Sequence, residues 1–311
     1  MNRPLHGLFR LVCLCAPLAA PAWAAPSSIT SFTEDERATA WPEPEDKGAL
    51  ADALNNLRKA KNEEHVSEWS AALVAIGPAS APRLLSALER EKSEDNRARF
   101  VAVLDGVTDA SHTRLIATSF DSKSIDVRLF ALRRVAELGD PGLRERAETA
   151  WQAAEKEAEA RSKDKKKRKE ADPKELEEHQ RSALLALACG SAAPLQHLAT
   201  VAGSRDWPTW RASIEAAASM AAEEPEVPAA LAAMLTPKAK GNLRAGALRL
   251  LAYAGTEEHV SAIAPMLDAR ENHVKIAAIN ALRRIVDGAD PLPKLSTFDA
   301  IEQAQAWKKR I

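Results

Sequence analysis

The chain has 311 residues, enough for one large or two ordinary domains. Apolar residues make up 46% of it but aromatics only 5%, with Tyr253 the single tyrosine, which argues against an all-β fold. The 43 basic and 44 acidic side chains leave a net charge of −1, so no whole-protein footprint for nucleic acid exists, and the apolar content excludes disorder over the full length.

Residues 1–24 read as a secretory signal peptide. Arg3 and Arg10 supply the positive start, residues 11–24 are apolar, and Ala22-Trp23-Ala24 is a small-x-small cleavage site. The apolar stretch is 14 residues long and contains Pro17 and Pro21. A span needs about 20 apolar residues, so no membrane anchor is expected to remain after cleavage. Val12 and Leu14 precede Cys13 and Cys15, which speaks against a lipoprotein. Cleavage would leave Cys189 alone, without an intramolecular disulfide. With Arg3 and Arg10 gone, 41 basic residues face 44 acidic ones, a net charge of −3. The protein is therefore expected to be exported, periplasmic or secreted. Residues 25–47, polar, acidic and proline-containing, read as a flexible leader.

From residue 48 to 288 a pattern recurs with a period of about 32 residues. Val127, Ala131, Val135 and Leu138 stand at offsets 0, 4, 8 and 11. Trp210, Ile214, Ala218 and Ala221 repeat those offsets, as do Leu243, Ala247, Leu251 and Ala254, and then Val274, Ala278, Leu282 and Ile285. Such spacing lies on one face of a helix. Weaker copies centre on Trp69, Arg97 and Arg181. The aligned positions are Trp69, Arg97, Arg128, Arg181, Arg211, Arg244 and Lys275, in steps of 28, 31, 53, 30, 33 and 31 residues. A shorter apolar helix precedes each, such as the one holding Leu84, Leu85 and Leu88. Gly77, Gly106, Gly139, Gly190, Gly255 and Gly288 follow the second helices, where a left-handed C-cap is expected. Two antiparallel helices per unit, about seven times over, predict an all-α fold, an α-solenoid.

The 53-residue step marks an insertion. Residues 144–169 carry no helix breaker and many strong helix formers. Asp172 suits a helix N-cap, Pro173 the first turn, and Glu175 a capping box. Residues 144–180 should thus form one elongated, charged helical hairpin. Its tip, residues 161–169, holds seven basic residues and one Asp. At the end of the chain, residues 289–311 hold a capping helix, started by Ser296 or Thr297, with Phe298, Ile301 and Ala304 on one face. Lys308, Lys309 and Arg310 complement its C-terminal dipole.

The second-helix pattern, Val127-Arg128-x-x-Ala131 and Val274-Lys275-x-x-Ala278-x-x-Ala281-Leu282, resembles that of the HEAT repeat family. The resemblance spans residues 48–288. It implies a solenoid whose second helices line a concave face. It also implies an Asp–Arg ladder between repeats, here from Asp121 and Asp268, seven residues before Arg128 and Lys275. Pro265 resembles the family's kinking proline. The tetratricopeptide pattern is the runner-up, but its Trp-Leu-Gly-Tyr signature is absent.

No catalytic constellation stands out: there is no G-x-S-x-G elbow, P-loop, dinucleotide fingerprint, His-x-x-x-His or Cys-x-x-Cys. Glu-Glu-His occurs three times, ending at His65, His179 and His259, but at different register points, so the three are not expected to share a metal. No cofactor or metal is expected. The aligned cations read as structural. Arg133, Arg134, Arg249, Arg283 and Arg284 are extra on the concave face and are the expected contacts for a protein partner, and Trp207 is a further candidate, against the plainer reading that it is buried. Lys163, Lys165, Lys166, Lys167, Arg168 and Lys169 at the hairpin tip are the candidate contacts for an anionic envelope surface, against the plainer reading of a solvated helix end. Nucleic acid is not expected, since no aromatics interleave for stacking. Trp210 should be buried, and Cys189 an inert buried thiol. The function expected is a non-catalytic protein-binding scaffold of the bacterial cell envelope. The alternative is a HEAT-like enzyme, metal-dependent or bilin-lyase-like, with its site on the concave face.

Overall fold

A computed structural model describes residues 37–164, 172–292 and 294–311. The signal segment with Cys13 and Cys15, the start of the leader, and Lys165, Lys166, Lys167, Arg168 and Lys169 of the hairpin tip lie outside the described residues. Among the described residues all regular structure is helical. The helices alternate in chain order. The first helices of successive units are α1 (Lys47–Lys59), α3 (Ala81–Arg90), α5 (Thr113–Ala117), α7 (Arg144–Lys163), α9 (Leu195–Ala202), α11 (Glu226–Ala233) and α13 (Val260–Ile263). The second helices are α2 (Glu63–Ile76), α4 (Glu94–Val107), α6 (Ile125–Leu138), α8 (Pro173–Ala188), α10 (Trp207–Met220), α12 (Gly241–Ala254) and α14 (Asn272–Asp287), and α15 (Thr297–Arg310) follows. Each first helix packs on its own second helix, and each second helix packs on the next: α2 on α4, then α6, α8, α10, α12 and α14. All seven aligned positions, Trp69 to Lys275, fall on the second helices.

One apolar core runs from Leu50 to Trp307, made chiefly of Leu and Ala. Alanine lets helices approach closely, and glycine more so. At Gly246 on α12 an added Cβ would lie 1.7 Å from the Ala199 carbonyl of α9, and at Gly203 it would lie 1.9 Å from that of Asn242. These two glycines let α9 and α12 touch backbone to backbone.

Short polar side chains start several helices. Asp46 accepts from the amides of Gly48 and Ala49 at 2.7 and 2.9 Å, and Asn62 from that of His65 at 2.8 Å. Ser296 and Asp299 form a reciprocal capping box before α15. Such caps contribute about 0.5–2 kcal/mol each. The expected C-cap glycines divide. Gly288 ends α14 in the left-handed conformation, at φ 63° and ψ 13°, and Gly77, Gly139 and Gly190 also have positive φ. Gly106 instead lies inside α4, and Gly255 has an ordinary φ of −85°. Space is the constraint at Gly255: a Cβ there would meet the Leu251 carbonyl oxygen at 2.5 Å.

The inserted pair is long, as its composition predicts. The 20 residues of α7 extend about 30 Å at 1.5 Å per residue. Beyond Trp151 no residue of α7 is buried, and none of α8 before Gln180. Asp172 caps α8 through the Lys174 amide at 2.9 Å. Glu175 does not close a capping box. Its carboxylate accepts from Arg161 at 2.7 Å across the hairpin, where a full guanidinium charge outcompetes a backbone amide.

The described part of the expected flexible leader is docked. Arg37 pairs with Asp140, the Ala38 amide donates to Ser111 at 3.0 Å, and Trp41 stacks on His112 at 5.3 Å, nearly parallel. Asp140 is 2% exposed, and a carboxylate so buried demands a cation. Arg37 supplies it, alongside the Thr113 hydroxyl at 2.6 Å.

The stretch Glu63–Arg90 is long and apolar enough to cross a membrane by length and composition. It is broken at Gly77 by a positive φ of 72°, and its halves, α2 and α3, pack on α1 and α4.

Candidate functional site

The aligned cations do join neighbouring helices, but not through the acids that the HEAT resemblance implies. Arg97 of α4 pairs with Asp126 of α6 at 3.6 Å, and Arg128 of α6 with Glu178 of α8 at 2.9 Å. Arg244 of α12 pairs with Glu271, the N-cap of α14, at 2.7 Å. Each cation reaches forward to an acid near the start of the next second helix: Asp126 and Glu271 lie in the first turn or at the cap, where the helix dipole also favours a negative charge, and Glu178 lies in the second turn. Arg181 and Arg211 pair within their own helices, with Glu177 and Glu215. Asp121 instead meets Arg146 at 3.3 Å, and Asp268 meets Lys308.

The five extra arginines are all engaged inside the chain. Arg133 Nη2 donates to both oxygens of Asp105 at 2.7 and 2.8 Å, and Nη1 to Glu137 at 2.7 Å. Burial pulls its pKa down, but Glu137 and Asp105 more than offset that, and the net shift is upward. Arg134 donates to the carbonyl and hydroxyl oxygens of Thr108 and to the Asp105 carbonyl. Arg249 donates to the Ala202 carbonyl and lies over the Trp207 ring. Burial, with Arg211 nearby, lowers its pKa. Arg284 pairs with Asp290 at 3.0 Å and lies over Tyr253, and Arg283 donates to the Asp290 carbonyl at 3.4 Å. Trp207 opens α10 and is half-buried beside a hollow of about 280 Å³ that Arg249, Tyr253 and Asn280 share. At the hairpin tip Lys163 is exposed and 3.6 Å from Glu159.

A larger groove, of about 800 Å³, crosses α6, α8 and α10, with α9 contributing to its floor. Leu176, Leu184, Val201 and Trp210 give it an apolar lining, and Arg133, Glu137, Glu177 and Arg181 a charged one. Leu176 is 54% exposed there. Trp210, expected to be buried, is only half-buried because one face lines this groove. Of the expected partner residues, Arg133 alone lines it.

Beside the groove three chemically capable side chains converge. Glu155 of α7, His179 of α8 and His197 of α9 each offer a ligand atom within 4.8 Å of those of the other two. His179 Nε2 is 2.6 Å from Glu155 Oε2, and His197 Nε2 is 2.9 Å from Gln180 Oε1. Trp151 stacks on His179 at 5.0 Å and lies 5.2 Å from His197. Burial, helped by His179, pushes the His197 pKa down to about 4, so its ring is neutral near pH 7. Gln180 is buried and its Nε2 has no partner. His65, on α2, and His259, which caps the turn before α13, are elsewhere, as their register predicts. His179 finds its companions outside the Glu-Glu-His triplets. A signal for this exists in the sequence: Glu155 and His179 lie twelve residues either side of position 167, and Arg161 and Glu175 seven either side of 168. Residues equidistant from a hairpin tip face each other.

Cys189 ends α8, buried, and burial pushes its pKa up to about 12, as expected of an inert thiol. No family model matches the chain. No curated protein matches it either.

Proposed function

We propose that the protein is an exported, non-catalytic scaffold. Its helix pairs would form an α-solenoid of seven HEAT-like units, and its groove across α6, α8 and α10 would hold a protein partner of the cell envelope. The observation that carries this reading is the groove itself, an apolar trough with charged edges lined by three consecutive second helices. Stacked repeats make extended surfaces of this kind, and apolar surface with a polar rim is what protein partners cover. The neighbour-to-neighbour contacts of the second helices support the solenoid, and the sequence of residues 1–24 supports export. The basic run at residues 161–169 supports a further contact with an anionic envelope surface.

Capture from envelope extract tests the reading. The mature chain is compared with Leu176→Asp in the groove and with Phe298→Asp, a still more exposed apolar site on α15. A partner kept by the parent and the α15 variant but lost by Leu176→Asp is expected. Capture that is indifferent to Leu176, or lost equally in both variants, speaks against the groove. A second reading, a metal-dependent enzyme, draws on the convergence of Glu155, His179 and His197. Metal-dependent turnover of an envelope substrate would favour it.

A further inference from the structure

We propose that Glu155, His179 and His197 form a binding site for a divalent transition metal of the zinc class, which ties α7, α8 and α9 together. The donor set is two imidazoles and one carboxylate. That set, with a fourth position left to solvent or ligand, is one that Zn²⁺ adopts, while Mg²⁺ and Ca²⁺ prefer oxygen donors.

The geometry suits such an ion. At Zn–N and Zn–O lengths of about 2.0–2.2 Å the donors of a tetrahedral site stand roughly 3.3 Å apart. Here the donor atoms lie within 4.8 Å of one another, and the closest pair at 2.6 Å. Shifts on the order of 1 Å would bring all three onto one ion.

The surroundings are also those of a held ligand set. Trp151, stacked on His179 and beside His197, keeps the two rings side by side. Gln180 Oε1 meets His197 Nε2, and with Nδ1 as the metal-binding nitrogen it would serve as the outer partner that metal-bound histidines have. The other end of that amide is buried without a partner. However the amide is turned, one of its polar atoms is unspent, and a water bound to the metal would satisfy it. His179, His197 and Gln180 line the groove while Glu155 stands behind them on α7. Both imidazoles are thus reachable from the groove. The site stands independently of what the groove holds.

Titration of the metal-stripped mature chain, made without a polyhistidine tag, with ZnCl₂ tests the proposal by calorimetry and by elemental analysis after dialysis. One zinc per chain is expected. Binding should weaken by at least about 10–100-fold in His197→Gln and in Glu155→Gln, the loss that outer-sphere changes alone can cause. His65→Gln and His259→Gln should leave it intact. Co²⁺ in place of zinc should give the visible bands of a four-coordinate ion, and Glu155→Gln should remove them. The Glu155 side chain is 41% exposed, so that variant reports on the site even where a histidine change disturbs folding. A folded parent that takes up no stoichiometric zinc overturns the proposal. So does uptake that is equal in Glu155→Gln and in the His65 and His259 controls.

Discussion

The guanidinium carbon of Arg249, on α12, lies 5.2 Å from the centroid of the Trp207 ring, at the start of α10. The same arginine donates to the carbonyl of Ala202, the last residue of α9. Two side chains expected to face a partner thus hold each other and bind three helices. A partly desolvated cation over an indole contributes about 0.5–2 kcal/mol. Arg249→Ser should lower unfolding stability in urea by about 1–2 kcal/mol, counting the freed helix-end carbonyl. An unchanged urea midpoint would show that the contact contributes nothing.

Arg133 lines the groove and also holds Asp105, so its two roles need separating. Asp105→Asn breaks the pair and leaves the cation in place. Both side chains are partly exposed, which screens their attraction, and a double-mutant cycle should give a coupling of about 1 kcal/mol. If Arg133 also contacts a partner, Arg133→Ser should weaken capture and Asp105→Asn should not. Equal loss in both would assign the effect to stability alone.

Gly246→Ala should be among the most damaging single-methyl changes. Its Cβ would sit 1.7 Å from the Ala199 carbonyl and 2.8 Å from the Gly203 nitrogen, and neither backbone yields without moving a helix. A loss of about 3 kcal/mol or more is expected, at the upper end of overpacking costs. Gly77→Ala is the comparison, since its Cβ meets nothing within 4 Å but its φ is +72°. Strain alone should cost about 1–3 kcal/mol there, since φ +72° with ψ −153° is a conformation essentially reserved for glycine. Equilibrium unfolding that ranks Gly77→Ala as the worse of the two would contradict the backbone contact between α9 and α12.

Cys189 should be silent to a thiol reagent in the native protein at pH 8 and reactive after unfolding in urea. Burial raises its pKa from 9.0 to about 12, so the folded thiol stays protonated where the unfolded one begins to ionise. The sign follows: this group's stabilisation is complete below pH 9.0 and is lost as pH rises toward about 12. Rapid labelling of the folded chain at pH 8 would contradict the burial.

The helix pairs were legible because one face of a helix must be apolar at offsets 4, 8 and 11 wherever it packs, and Val127 through Ile285 obey that spacing. Which acid meets which cation was not. Arg128 chooses Glu178 over Asp121 because α8 starts beside it, a fact of packing between units 50 residues apart. Docking of Arg37 on Asp140 was hidden for the same reason: a polar segment looks solvated until the buried carboxylate opposite is known. The meeting of Glu155 with His179 was half-legible, since both are equidistant from the hairpin tip. His197 enters only through the packing of α9 and carried no spacing signal.

The most direct test of the scaffold reading is photocrosslinking in intact cells from a benzophenone side chain at position 176, in the groove. The same probe at position 74, an exposed apolar site on α2 where Val74 stands, is its match. A discrete crosslinked protein from position 176 and none from position 74 is the predicted result. No adduct at position 176, or the same adducts from both positions, would contradict the groove as the binding surface.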